Sequence, residues 1–189
     1  MLPEFLVQAA IQVKEALILR GQRLVIAESC TGGLVATLLT SLPGISEYFC
    51  GSAVVYRWDT KMKWLGVQPE TLEKYTDVSV ETAREMALGV LRQTPEASVA
   101  ASITGHLGPD APRQQDGMIC IAVAFRTASG LDSPPELFTV ESFQCDTLIE
   151  EIPLDFQPAA DFTLRHHRQL AAARQMLKLI LTALEPKTL

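Results

Sequence analysis

The sequence predicts an α/β layered domain built on a mixed sheet. Strand-like apolar runs alternate with amphipathic helical stretches through the first hundred residues. An early strand, Arg23–Ala27, runs through a glycine-bearing turn straight into a helix. The later strands, Met118–Phe125 and Glu136–Phe143, follow one another with no long helix between them, which makes the sheet mixed rather than wholly parallel.

From the amino end, Pro3–Arg20 places Leu6, Ala9, Ala10, Val13, Ala16 and Leu17 on one helical face. Pro3 suits the first turn and Gly21 the stop. After Arg23–Ala27, residues Glu28–Gly33 form a polar turn, and Leu34–Leu42 reads as a helix ended by Pro43-Gly44. Ser52–Tyr56 is β-rich. Asp59–Leu65, Pro69–Tyr75 and Val80–Gln93 read as helices, the last capped by Ser79. Ala97–Ile103 is a strand of small and branched residues, followed by a loop, Thr104–Asp116. Met118–Phe125 is apolar throughout and is expected in the sheet interior. Gln144–Phe162 is acidic, carries prolines and shows no period. Thr163–Leu184 reads as the final helix.

The 189 residues imply one domain, and a chain of that size needs no disulfide or metal staple to hold its core. The formal net charge is −6 and the basic residues are dispersed, which argues against nucleic acid as a partner while leaving room for one small anion. No apolar run approaches the roughly 20 residues of a membrane span, and the amino terminus lacks a basic signal-peptide start. Cys30, Cys50, Cys120 and Cys145 form no C-x-x-C pair. Cys50 and Cys120 read as buried thiols, and a reducing cytoplasm is the expected compartment.

Three segments can carry chemistry. In Val25–Gly33 a strand enters a turn with Ser29, Thr31, Gly32 and Gly33, and backbone N–H groups at such a helix start favour an anion. The same residues also read simply as a Thr31 cap with glycines for tight packing. In Tyr56–Lys63, Lys61 sits about one turn into a helix. Beside apolar neighbours it can lose its proton and serve as a base, with Tyr56 relaying a proton; the plain alternative is a solvated lysine and an edge tyrosine. In Thr104–Pro109, Gly105 and Gly108 shape a loop able to cradle phosphate, or merely to reverse the chain. His106 could join Ser29 in a triad, but no G-x-S-x-G elbow is present. His166-His167 lack spaced metal partners, and Cys30 reads as structural before it reads as a nucleophile.

Taken jointly, AESCTGG, Tyr-x4-Lys and TGxxGP resemble the CinA carboxy-terminal domain family, which includes the nicotinamide-nucleotide amidases of the PncC type. The resemblance runs from about Leu24 to Phe125. It takes in Leu42–Ser46, Leu65–Val67 and Val78–Met86, and resumes weakly in the last helix. It implies a three-layer α/β/α sandwich around a mixed, mostly parallel sheet. It also implies hydrolysis of the nicotinamide mononucleotide carboxamide to the acid and ammonia, with no metal and no cofactor. On this resemblance Ser29, Tyr56 and Lys61 are catalytic, and Thr31, Gly32, Gly33, Ser46, Gly105, Gly108 and Arg165 bind substrate.

The departures are Arg57-Trp58 where the family has Ser-Asn, His106-Leu107 inside TGxxGP, and Asp110-Ala111-Pro112 in place of a glycine pair. Thr163-Leu164 also stands before Arg165 in place of Gly-Asp. They leave a catalytically weak or inactive nucleotide- or phosphate-binding module on the same fold as the alternative. The expected organisation is residues 1–189 as one such domain with an insertion at about 144–162. The expected partner is a small anionic nucleotide, in a homo-oligomer, with neither nucleic acid nor membrane.

Overall fold

The computed structural model describes residues 2–112, 114–126, 135–153, 156 and 162–185. Helix α1 (Glu4–Arg20) precedes strand β1 (Leu24–Glu28), helix α2 (Leu34–Thr40), a 3-10 turn at Ile45–Glu47 and strand β2 (Phe49–Val54). Helices α3 (Trp58–Leu65), α4 (Pro69–Tyr75) and α5 (Val80–Gln93) lead to β3 (Val99–Gly105), β4 (Met118–Phe125) and β5 (Glu136–Gln144). The short α6 (Cys145–Ile149) and the long α7 (Leu164–Leu184) complete the order.

The strands lie in the order β2-β1-β3-β4-β5. β1 pairs parallel with both β2 and β3, while β4 runs against both β3 and β5. Only β4 is reversed, so the sheet is mixed and mostly parallel, as expected. Side chains alternate between the faces with the strand period of two. Leu24, Ile26, Ala101, Ile103, Ile119 and Ile121 pack with buried residues of α1, α2 and α7. Val25, Ala27, Ala100, Cys120 and Ala122 pack with Leu72 of α4 and with Ala83, Met86, Ala87 and Val90 of α5. That is the three-layer sandwich. No helix among the described residues is long and apolar enough to cross a membrane.

Several boundaries move. β2 ends at Val54, two residues before Tyr56, where the sequence reading carried it on to Tyr56. Gly51 (φ 141°) lies inside the strand, where the β1–β2 register shifts. Helix α2 stops at Thr40, and β3 continues to Gly105. Cys50 is half-buried rather than buried, because β2 is an edge strand. Of the expected insertion, Cys145–Ile149 is helix. Its Cys145 and Leu148 are buried in the core shared with α7. Residues 154–155 and 157–161 lie outside the described residues.

The topology positions the site. α2 connects β1 to β2 on one face of the sheet, and α5 leads back from β2 across to β3 on the other. Chain connections thus leave β1 in opposite directions, and the carboxyl edge between β1 and β3 is the switch point where such sheets bind ligands. Ser29, the first residue beyond β1, is tied there: its amide donates to Ile103 O of β3 at 3.0 Å.

Candidate active site

Lys61 projects from α3 beneath the sheet edge and is wholly buried (0% exposed), while Ser29 is 5% exposed. The Lys61 Nζ lies 2.9 Å from Ser29 Oγ and 2.9 Å from Val55 O. Burial pushes the Lys61 ammonium below its ordinary value of 10.5; the Asp77 carboxylate and Cys30 act in the opposite sense. The Nζ donates to both Val55 O and Ser29 Oγ, and loss of its proton would leave a lone pair beside the Ser29 hydroxyl.

The turn that presents Ser29 is built around Glu28. Its wholly buried carboxylate accepts from Val35 N (3.1 Å), Ala36 N (2.9 Å) and Ser52 Oγ (3.2 Å). The anion at the start of α2 is therefore the chain's own carboxylate. It satisfies two of the first helical N–H groups and locks the turn. Gly32 (φ 62°) and Gly33 (φ 95°) adopt left-handed backbone that lets the chain reverse into α2. The Thr31 and Gly33 amides donate to nothing among the described residues, and the buried Thr31 Oγ1 has no hydrogen-bond partner. These donors lie two and four residues beyond Ser29 in the same turn.

Tyr56 is not part of the buried pair. It is 58% exposed, and its hydroxyl accepts from Arg165 Nη2 at 3.2 Å. Arg165 also donates to Gly108 O. The relay from Lys61 through Tyr56 expected from the sequence therefore has no hydrogen bond to carry it. Tyr56 ends two residues past β2 instead of on it, which turns it toward the rim. There the Tyr56–Arg165 contact joins two cavities. One, of about 620 Å³, is lined by Tyr56, Arg57, Trp58, Asp59, Thr60 and Asp77. The other, of about 730 Å³, is lined by Gly108, Pro109, Leu164, Arg165 and neighbours.

Gly105 and Gly108 are glycines for reasons of space. A Cβ at Gly105 would lie 2.6 Å from Ile119 Cγ2 and 3.2 Å from Cys30 Sγ. One at Gly108 would lie 2.8 Å from both Arg168 Nη1 and Asp116 Oδ1. Arg168 went unnoticed in the sequence. Buried in α7, it donates to Asp116 and Asp146 at 2.7 to 3.2 Å and to Leu107 O, fastening the Gly108 loop and α6 to α7. Only its place one turn beyond Arg165 could have suggested a role. Glu28 and Asp77 were likewise missed, since nothing in their local pattern distinguishes them from surface carboxylates.

Ser46 falls away from the site. It is exposed in the turn before β2, so the length of that strand, roughly 17 Å of rise, separates it from the carboxyl edge. His106 is engaged through its backbone with Met118 and Gly117, and no hydrogen bond links its ring to Ser29. His166 Nδ1 accepts from the Thr163 amide and closes the cap of α7. No group of metal-ligating side chains occurs among the described residues. Burial raises the Cys30 thiol far above its ordinary value, which removes it as a rival nucleophile.

Comparison with known proteins gives a consistent result. A family model described as the CinA C-terminal domain matches residues 7–134. A CinA-like protein of Desulforapulum autotrophicum is 45% identical over 115 residues, 60% of this chain and 27% of that protein. A CinA-like protein of Solibacter usitatus is 38% identical over 130 residues, 69% of this chain and 31% of that protein. The chain thus matches less than a third of these relatives' length. Among solved structures, the competence/damage inducible protein CihA from Agrobacterium tumefaciens superposes with a TM-score of 0.76 at 28% identity, covering 97% of this chain and 98% of that one. A competence or damage-inducible protein from Enterobacter asburiae gives 0.75 at 27% identity, covering 95% and 98%.

Proposed function

The chain belongs to the CinA C-terminal domain family, and on that premise we propose that it is a serine amidohydrolase. Its substrate on this reading is the carboxamide of nicotinamide mononucleotide or a related pyridine nucleotide, cleaved to the acid and ammonia. The observation that carries the proposal is the buried 2.9 Å contact between Lys61 Nζ and Ser29 Oγ. A lysine desolvated against a serine hydroxyl is a costly arrangement for stability and a useful one for proton abstraction.

Lys61 takes the Ser29 proton as Oγ attacks the carboxamide carbon. The oxyanion develops toward the Thr31 and Gly33 amides. The protonated Lys61 then returns the proton to the departing nitrogen, releasing ammonia and leaving an acyl ester on Ser29. Water, deprotonated by the same amine, clears the ester. Tyr56 and Arg165 act at the rim as substrate contacts. Arg165 there offers a guanidinium suited to a phosphate.

One observation favours the second reading, a nucleotide- or phosphate-binding module: Ser29 is only 5% exposed, so a substrate must open the site to reach it. The two readings separate in one experiment. Ammonia release and binding are measured on the same sample with nicotinamide mononucleotide. Release with turnover supports the amidase, and saturable binding without release supports the binding module.

A further inference from the structure

The 620 Å³ cavity at the start of α3 holds an unsatisfied charge. Asp77 is half-buried there, and its carboxylate makes no hydrogen bond or ion pair among the described residues. Only its backbone is engaged, with Thr104 Oγ1 donating to Asp77 O at 2.6 Å. Tyr56 and Trp58 line the same cavity and are both exposed, offering aromatic faces. The other carboxylate, Asp59, is already paired with Lys63 at 3.6 Å. Arg57 lies on this cavity's lining, and Arg165 is hydrogen-bonded to Tyr56 at its margin.

Aromatic faces together with a free carboxylate select a planar cation, through cation–π attraction and direct charge pairing. Guanidinium groups at the margin select an anion. We infer that this cavity takes the positively charged ring of a zwitterionic substrate, the ring lying by Asp77 and Trp58 and the phosphate toward Arg57 and Arg165. Asp77 and Trp58 are thus specificity-determining residues. The inference deepens the amidase reading and rests on it for the identity of the ligand: the N-glycosylated pyridinium amide of such a nucleotide is a planar cation. There is a mechanistic consequence. The Asp77 carboxylate favours the charged form of Lys61 in the empty site, and a cation seated on Asp77 offsets that field, so substrate arrival itself favours the neutral base.

The test uses two ligands that share the phosphate, ribose and carboxamide and differ in ring charge: nicotinamide mononucleotide, with a cationic ring, and its dihydro form, with a neutral ring. Binding is measured to the Ser29→Ala variant, so that no turnover intervenes. The cationic form is expected to bind at least about tenfold more tightly than the neutral one. Adding Asp77→Asn should erase that preference, and adding Trp58→Leu should reduce it. Glu73→Gln, which removes the same charge from the exposed face of α4, should leave it intact. Equal binding of the two forms, or a preference that survives Asp77→Asn, overturns the inference. The two proposals fail separately. Wild-type ammonia release without a ring-charge preference keeps the amidase and removes the cation site. A preference that depends on Asp77, without release, keeps the cation site and removes the amidase.

Discussion

Lys61 heads the large side chains that the fold seals completely, and its charge is the residue-scale anomaly. Its amine meets Ser29 Oγ and Val55 O, with Asp77 and Cys30 as the ionisable groups that act on it. Because burial lowers its proton affinity below the ordinary 10.5, kcat/KM should fall as pH drops through the lowered value, since protonation removes the base. Lys61→Met should lower the rate by at least about 100-fold above that value, with the gap narrowing below it. The stability sign follows from linkage. Between the folded and the unfolded value the unfolded chain binds more protons, so wild-type stability should gain on that of Lys61→Met as pH rises toward 10.5. Urea denaturation of both proteins at neutral and alkaline pH measures this. Ser29 and Lys61 were legible through the resemblance of AESCTGG and Tyr-x4-Lys to the family; spacing alone left a capping turn and a solvated lysine open. Their burial was not, since it depends on α3 being pressed inward by α5.

That pressing is visible at the scale of elements. Gly89 sits mid-helix in α5, where a Cβ would lie 2.0 Å from Leu65 O of α3. By helix propensity alone Gly89→Ala should add roughly 1 kcal/mol of stability. The clash with backbone reverses the sign, and the variant should lose about 2 kcal/mol in chemical denaturation. Because α3 carries Lys61, its ammonia-release rate should fall with it. The same scale explains what the sequence hid. Strand β2 lies at Phe49–Val54 rather than at the β-rich Ser52–Tyr56, with a register shift against β1 at its start. Tyr56 consequently leaves the base and joins Arg165. The anion expected from outside at the start of α2 is Glu28, whose partners Val35 and Ala36 lie seven and eight residues away. Pattern reading cannot see such a contact.

Over the whole molecule, the layered class, the mixed sheet and the strand–helix alternation were all legible, because periodicity and strand spacing are local signals. The clamp that holds the carboxyl edge together was not, because it joins residues far apart in the chain. Arg168 draws Asp116 from the β3–β4 loop and Asp146 from α6 onto α7. The Arg168 guanidinium holds the Asp146 carboxyl below its ordinary 3.8. A lowered carboxyl contributes stability that is complete above the ordinary value and lost as pH falls through the lowered one. Asp146→Asn should therefore be less stable than wild type at neutral pH, with the gap closing below 3.8, as read by thermal melts across an acid series. The clamp and the switch point together bring Ser29, Lys61, Tyr56, Gly108 and Arg165 to one edge. The claim that depends most on this convergence is that Ser29 Oγ is the attacking atom. It is tested most directly by comparing ammonia release from nicotinamide mononucleotide by wild type and by folded Ser29→Ala. The account predicts a loss of at least about 100-fold; release at the wild-type rate would contradict it.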